Sequence, residues 1–197
     1  LTLFQNLAAG NYTAQVTDSN GCTASVPVVV TNLPGPTITG APISDVTCFG
    51  GSNGVINVNT VGGTPALQYS LNGGPFQPTA VFDTLYSGNY SITVQDANGC
   101  VDVINVTVSE PPALITPWIS QNSTCGLSNG SVTVNAIGGT GVIMYSLNGG
   151  PFQASNTFAG LCTGVYTVSI LDGNNCTGGG TFSITTASGP NQINTNV

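Results

Sequence analysis

Six cysteines and seven carboxylates are the side chains of this 197-residue chain that could do chemistry; it has no lysine, arginine or histidine. Without a histidine or lysine to act as base, no serine or cysteine nucleophile can be activated in the usual way, so the chain does not read as an enzyme. Paired carboxylates could in principle hydrolyse glycosides. However, Asp18, Asp96 and Asp172 hold the same position in three copies of one turn, where they serve first as turn formers. Calcium at Asp96 and Asn98 is the one cofactor the turns could take, and a single carboxylate per turn is thin for an ion that wants several oxygens. A zinc site lacks both a Cys-x-x-Cys pair and histidine. Disulfide formation remains as the chemistry of the cysteines.

The cysteines are spaced by a repeat. Cys22, Cys100 and Cys176, like Cys48 and Cys125, recur about every 77 residues, and LNGGPFQ stands at Leu71–Gln77 and again at Leu147–Gln153. A unit of that size can bury a small core of its own. The clearest repeated stretch is Leu85 to Glu110, with copies at Leu7 to Thr31 and Leu161 to Thr186. In it Tyr90, Ile92 and Val94 alternate with Ser91, Thr93 and Gln95, and Ile104, Val106 and Val108 alternate after the turn Asp96-Ala97-Asn98-Gly99. Period two on both sides of an Asn-Gly turn is a β-hairpin with one apolar face. Tyr12, Tyr90 and Tyr166 each follow Leu-x-x-Gly-x, the pattern of a tyrosine corner whose hydroxyl bonds back to upstream backbone.

The expected architecture is therefore all-β, a tandem of immunoglobulin-like β-sandwich repeats. Residues 1–32 are the second half of an incomplete repeat, 37–110 and 114–187 are complete repeats, and 188–197 are a tail or the start of another. The proline-rich joints Leu33-Pro34-Gly35-Pro36 and Pro111-Pro112 separate them. Within the first complete repeat, strands are expected over Val55–Thr60 and Leu67–Leu71, with a return starting at Phe76. The chain opens mid-repeat, as a window from a longer protein or a processed subunit would.

Each complete repeat has one cysteine near its start and one after its hairpin turn. The pairings expected are Cys48–Cys100 and Cys125–Cys176, each closing a loop of roughly 50 residues and contributing about 4 kcal/mol. Cys22 would then pair with a cysteine upstream of this sequence. Cys162 is extra, either a buried free thiol or a bridge to Cys22 of another chain.

The charge balance excludes whole classes of partner. With no cation to neutralise phosphate, neither nucleic acid nor an anionic membrane surface is a partner, and no apolar run reaches membrane-spanning length. Trp118, Tyr86 and Tyr145 could stack on surface glycans, although Trp118 is better placed to pack between neighbouring repeats. A threonine face for ice binding is not kept from the first hairpin to the second. Asn-x-Ser/Thr occurs about as often as chance allows in so Asn-rich a chain; Asn11, Asn89 and Asn105 are the best placed of these sites.

Taken together, VTCFGGSNGVINVNTVGGTP and LYSGNYSITVQDANGCVDVINVTVSEP resemble the SprB repeat of Bacteroidota cell-surface proteins over nearly the whole chain. The second repeat departs at Cys125-Gly126-Leu127 and at Asn174-Asn175, and lacks the closing glutamate. The resemblance implies secretion, a cell-surface location, and a structural or adhesive role in fibres, with a carbohydrate-binding adhesin module as the alternative. It carries no catalytic residue. It also implies O-glycosylation at Asp-Ser/Thr before an apolar residue, which Asp83-Thr84-Leu85 fits, marking Thr84. Partners would be copies of the chain or further repeats, with the alternating tail Asn191–Val197 joining chains by strand addition.

Overall fold

A computed structural model describes residues 3–124 and 127–186. Among them are sixteen strands and no helix, so the chain is all-β. The first segment gives β1 (Gly10–Thr17) and β2 (Thr23–Val30). The first complete repeat gives β3 (Pro36–Gly40), β4 (Ile43–Ser44), β5 (Gly54–Asn57), β6 (Asn59–Gly62), β7 (Gln68–Leu71), β8 (Val81–Leu85), β9 (Gly88–Gln95) and β10 (Val101–Val108). The second gives β11 (Trp118–Gln121), β12 (Gly130–Val134), β13 (Met144–Leu147), β14 (Thr157–Leu161), β15 (Gly164–Leu171) and β16 (Thr177–Ile184).

The chain divides into two compact units. One comprises Leu1–Gly40, Val58–Ala80 and Ser91–Ile104; the other comprises Ala41–Asn57, Val81–Tyr90 and Asn105–Val197. The division cuts through the first complete repeat.

In the first unit, β1 and β2 form a two-stranded hairpin in register Tyr12↔Val28 and Ala14↔Val26. β3 pairs with β6, and β7 pairs with β9 through Tyr69↔Val94 and Leu71↔Ile92. Ile92 and Val94 are fully buried, as their alternation requires.

The second unit holds the whole second repeat, which is a sandwich of two three-stranded sheets, β11-β12-β14 and β13-β15-β16. Val132, Val134 and Leu161 from one sheet and Tyr145, Val168, Ile170, Phe182 and Ile184 from the other make one core. These are the inward residues of alternating strands, the arrangement of an immunoglobulin-like sandwich. The unit also contains the sheet β4-β5-β8. Its Gly54 is fixed by crowding: a Cβ there would lie 2.7 Å from Val108 Cγ1 and 2.8 Å from the Leu85 carbonyl oxygen. Gly130 occupies the same tight place in the second repeat, against Ile184 and Leu161. A bulge follows at each of these glycines, and the facing strand relaxes through a left-handed residue, Thr84 (φ 55°) in one repeat and Gly160 (φ 73°) in the other.

All three tyrosine corners form. Tyr12, Tyr90 and Tyr166 donate their hydroxyls to the carbonyls of Ala8, Tyr86 and Cys162 at 2.8, 2.9 and 3.0 Å. The hairpin turns differ from a two-residue turn: Gly99 N–H donates to the Asp96 carbonyl, Asp96 N–H to the Cys100 carbonyl, and only Gly99 takes positive φ. The result is a three-residue loop with a glycine bulge. The return strand starts at Val81 rather than Phe76, because Gln77 instead bridges back to Tyr69. Trp118 does not pack between repeats. Its ring lies 6.2 Å from Phe182 of its own repeat, over Gly180, where a Cβ would come within 3.0 Å of the indole.

Candidate functional site

The second hairpin turn of a complete repeat, Asp172-Gly173-Asn174-Asn175-Cys176, is organised by one carboxylate. Asp172 Oδ1 accepts the N–H groups of Asn174 and Cys176 at 2.9 and 2.8 Å, and Oδ2 accepts that of Thr140 at 2.8 Å. Asn175 supplies the left-handed residue (φ 64°) that closes the loop. Asp172 is itself buried. Burial pushes its pKa up, but the three N–H donors outweigh burial and hold the carboxyl below the ordinary aspartate value of 3.8. The side chain is thus an anion held within a cage of backbone amides.

The start loop of the preceding repeat meets this turn. Asn53 shapes the loop, accepting Thr47 N–H and donating to Thr47 Oγ1, while Glu110 accepts Gly50 N–H. Cys48 projects from the loop into a disulfide with Cys176, with an S–S distance of 2.04 Å and a Cα–Cα distance of 5.6 Å. Asn174 Nδ2 donates to the Thr47 carbonyl beside it at 3.2 Å. A cleft of about 370 Å³ lies against this junction, lined by Phe49, Pro111, Leu114, Gly139 and Asp172. Gly139 has positive φ, and a Cβ there would lie 2.6 Å from Leu114 and 2.8 Å from Asp172, so only glycine fits.

This pairing corrects the sequence reading. Cys48 is joined to Cys176 of the next repeat, not to Cys100, and Cys176 is therefore not joined to Cys125, which lies outside the described residues. The repeat spacing identifies equivalent cysteines, but it does not say whether a start cysteine bonds within its own repeat or in the next. Cys22, Cys100 and Cys162 are free and exposed. Cys162 is thus not a buried thiol; its Sγ lies 2.9 Å from Ser128 Oγ.

Asp96 has the same amide cage as Asp172, accepting from Asn98, Cys100 and Thr64 at 3.0, 2.8 and 3.0 Å. The Thr64 N–H contributes most to lowering its pKa, against an opposing effect of burial. Its oxygens accept N–H donors and Asn98 Nδ2 donates to Thr64 Oγ1, so the pair weighed as a thin calcium site is engaged in holding its own loop. Among the described residues, no three acids, cysteines or histidines converge on a common point.

The stacking residues do not share a face. Tyr145 is buried in the second-repeat core, Trp118 rests on Phe182, and Tyr86 is 62% exposed. The glycosylation candidates Asn11, Thr84, Asn89 and Asn105 are all exposed. Thr84 donates to Asp83 Oδ1 at 3.1 Å, and Asn89 Oδ1 accepts from Thr107. The tail 188–197, expected to join chains, lies outside the described residues.

None of the curated proteins compared with this chain matches it. Among solved structures, the C-terminal fragment of intimin, in complex with the intimin-binding domain of the translocated intimin receptor, is similar with a TM-score of 0.40 and 15% identity, over 76% of this chain and 64% of that one. The N-terminal eight Ig domains of the Down syndrome cell adhesion molecule give 0.43 and 13%, over 91% and 28%. The BSP domain of a biofilm-associated protein gives 0.26 and 13%, over 76% and 30%. The chain covers less than two thirds of each of these. In sequence, the SprB repeat family matches residues 40–76 and 119–152. The match takes in the front half of each complete repeat, start loop included, rather than nearly the whole chain. Those two stretches lie one repeat length apart, and each is similar to the SprB repeat.

Proposed function

We propose that this chain is a structural and adhesive segment of an extracellular repeat protein, carried on the cell surface as part of a fibre or filament. The observation that carries the reading is the junction itself: two SprB stretches, with the start loop of one repeat covalently fastened to the hairpin turn of the next. A disulfide is stable in an oxidising compartment, which agrees with export. It closes a long loop, its cysteines standing 128 positions apart in sequence, and removes swivel at the joint, which suits an element whose work is reach and stiffness. The absence of lysine and arginine from the sequence removes every site for proteases that need them, an advantage outside the cell. In this reading the partners are further repeats or copies of the chain, and Thr84, Asn11, Asn89 and Asn105 are the places where glycans would sit.

Immunogold labelling of intact cells of the producing organism, with antibody raised against residues 37–186, tests the proposal. Label on surface filaments that is removed by proteinase K is the expected result. Label seen only after permeabilisation would overturn it.

A further inference from the structure

The two complete repeats carry the same turn, yet only one of the two is bonded. Asp96 and Asp172 cage their loops with matching N–H groups: Thr64 for Thr140, Asn98 for Asn174, Cys100 for Cys176. The linker lies beside both cysteines: a Cβ at Gly35 would lie 3.1 Å from Cys100 Cβ, and Pro112 lines the cleft with Cys176. The difference is in what meets the turn. Cys176 is bonded to the start-loop Cys48, and Asn174 donates to that loop's Thr47 carbonyl. Cys100 is exposed and free, and the matching amide of Asn98 turns to Thr64 of its own repeat.

A second observation points to the same partner. The hairpin β1–β2 exposes Val16, Val26 and Val28 at 66, 55 and 41%. In β15–β16 the counterparts of Val16 and Val28, Ile170 and Phe182, are buried in a core shared with Val132, Val134 and Leu161 from the front half of the repeat. We propose that Cys100 is the receiving end of another inter-repeat disulfide, whose donor is the start-loop cysteine of a SprB front half seated on β1–β2. One occupant then accounts for both the bare valines and the free thiol, and the Cys48–Cys176 bond becomes one rung of a ladder running from repeat to repeat.

The bond forms by thiol–disulfide exchange with a low-molecular-weight disulfide such as glutathione disulfide. The Cys100 thiolate attacks one glutathione sulfur and expels a glutathione thiolate. The start-loop thiolate then attacks Cys100 Sγ and expels the second. Two protein thiols are oxidised, one glutathione disulfide is reduced to two thiols, and the two protons pass to the departing thiolates.

The inference rests on the repeat organisation and not on the surface role, so a failed immunogold experiment would leave it standing. The test is a chain in which a copy of residues 36–84 precedes Leu7, folded in glutathione redox buffer and mapped after peptic digestion. Cys100 should be linked to the added copy of Cys48, and its alkylation by iodoacetamide should fall about tenfold or more against the original chain. Formation of Cys48–Cys176 in the same molecules reports that they have folded. Cys100 still alkylated in those molecules, or linked to Cys22, would overturn the proposal. If the extended chain does not fold, the original chain is incubated with a peptide of residues 45–54 in the same buffer. Capture at Cys100 well above capture at the equally exposed Cys162 supports the proposal, and equal or absent capture refutes it.

Discussion

The hairpins β1–β2 and β15–β16 are written in the same pattern and end in different surroundings. Both run Gly-x-Tyr into alternating apolar residues, turn on an aspartate that caps its own loop, and return through a second apolar row. In β15–β16 that face is the floor of a core, with Val168 and Ile170 fully buried; in β1–β2 Val16, Val26 and Val28 remain exposed. The turn of the first ends in a free Cys22 and that of the second in a disulfide. Local sequence therefore builds the hairpin, and the front half of a repeat turns it into a stable module. A two-stranded ribbon alone is marginal in water.

The largest effect should come from the bond that only the second hairpin has. Replacing both cysteines, Cys48→Ser with Cys176→Ser, should cost up to about 5 kcal/mol, the chain-entropy value for so long a loop, whereas Cys100→Ser should change stability by less than about 0.5 kcal/mol. Urea midpoints under non-reducing conditions check both. A double mutant as stable as the parent would show that the bond fastens nothing.

Next is the covered face against the bare one. Ile170→Ala should cost about 3 kcal/mol because it leaves a cavity in a packed core. Val28→Ala should fall within about 0.5 kcal/mol, since water already reaches that side chain. Equal losses in denaturant unfolding would mean that β1–β2 is as well covered as β15–β16.

The carboxylate cages sharpen the comparison through pH. Asp96 and Asp172 have folded pKa values below 3.8, so their stabilisation is complete above the unfolded value and is lost as pH falls through the folded one. Stability should therefore be flat above about pH 5 and drop in the acid range below about 4. The slope should weaken in Asp172→Asn and in Asp96→Asn, each of which removes a carboxylate held by three N–H donors. The smallest effect is at the bulge. Thr84→Gly installs the residue its counterpart Gly160 already has and should raise stability by about 0.5–1 kcal/mol by relieving a left-handed β-branched residue.

The hairpins were legible in the sequence because their forces are local. Alternation at Tyr90, Ile92 and Val94 and the aspartate-led turn specify each strand and bend without reference to the rest of the chain. The tyrosine corners were legible for the same reason, since each hydroxyl reaches only four residues back. The disulfide was not, because a period of about 77 residues is satisfied equally by bonding within a repeat and by bonding to the next. Trp118 was misplaced although a signal existed: Gly178-Gly179-Gly180 stands where the first repeat has Asp102-Val103-Ile104, and a glycine run facing the chain's one tryptophan marks the floor on which it lies.

Peptide mapping of the unreduced chain tests the central claim most directly. Free thiols are alkylated first, and the protein is digested with pepsin at acidic pH, where exchange is slow. The account predicts one linked pair of peptides carrying Cys48 and Cys176, and an alkylated Cys100. A linked Cys48–Cys100 or Cys125–Cys176 peptide would mean that each repeat closes on itself, and the account of repeats fastened to one another would be wrong.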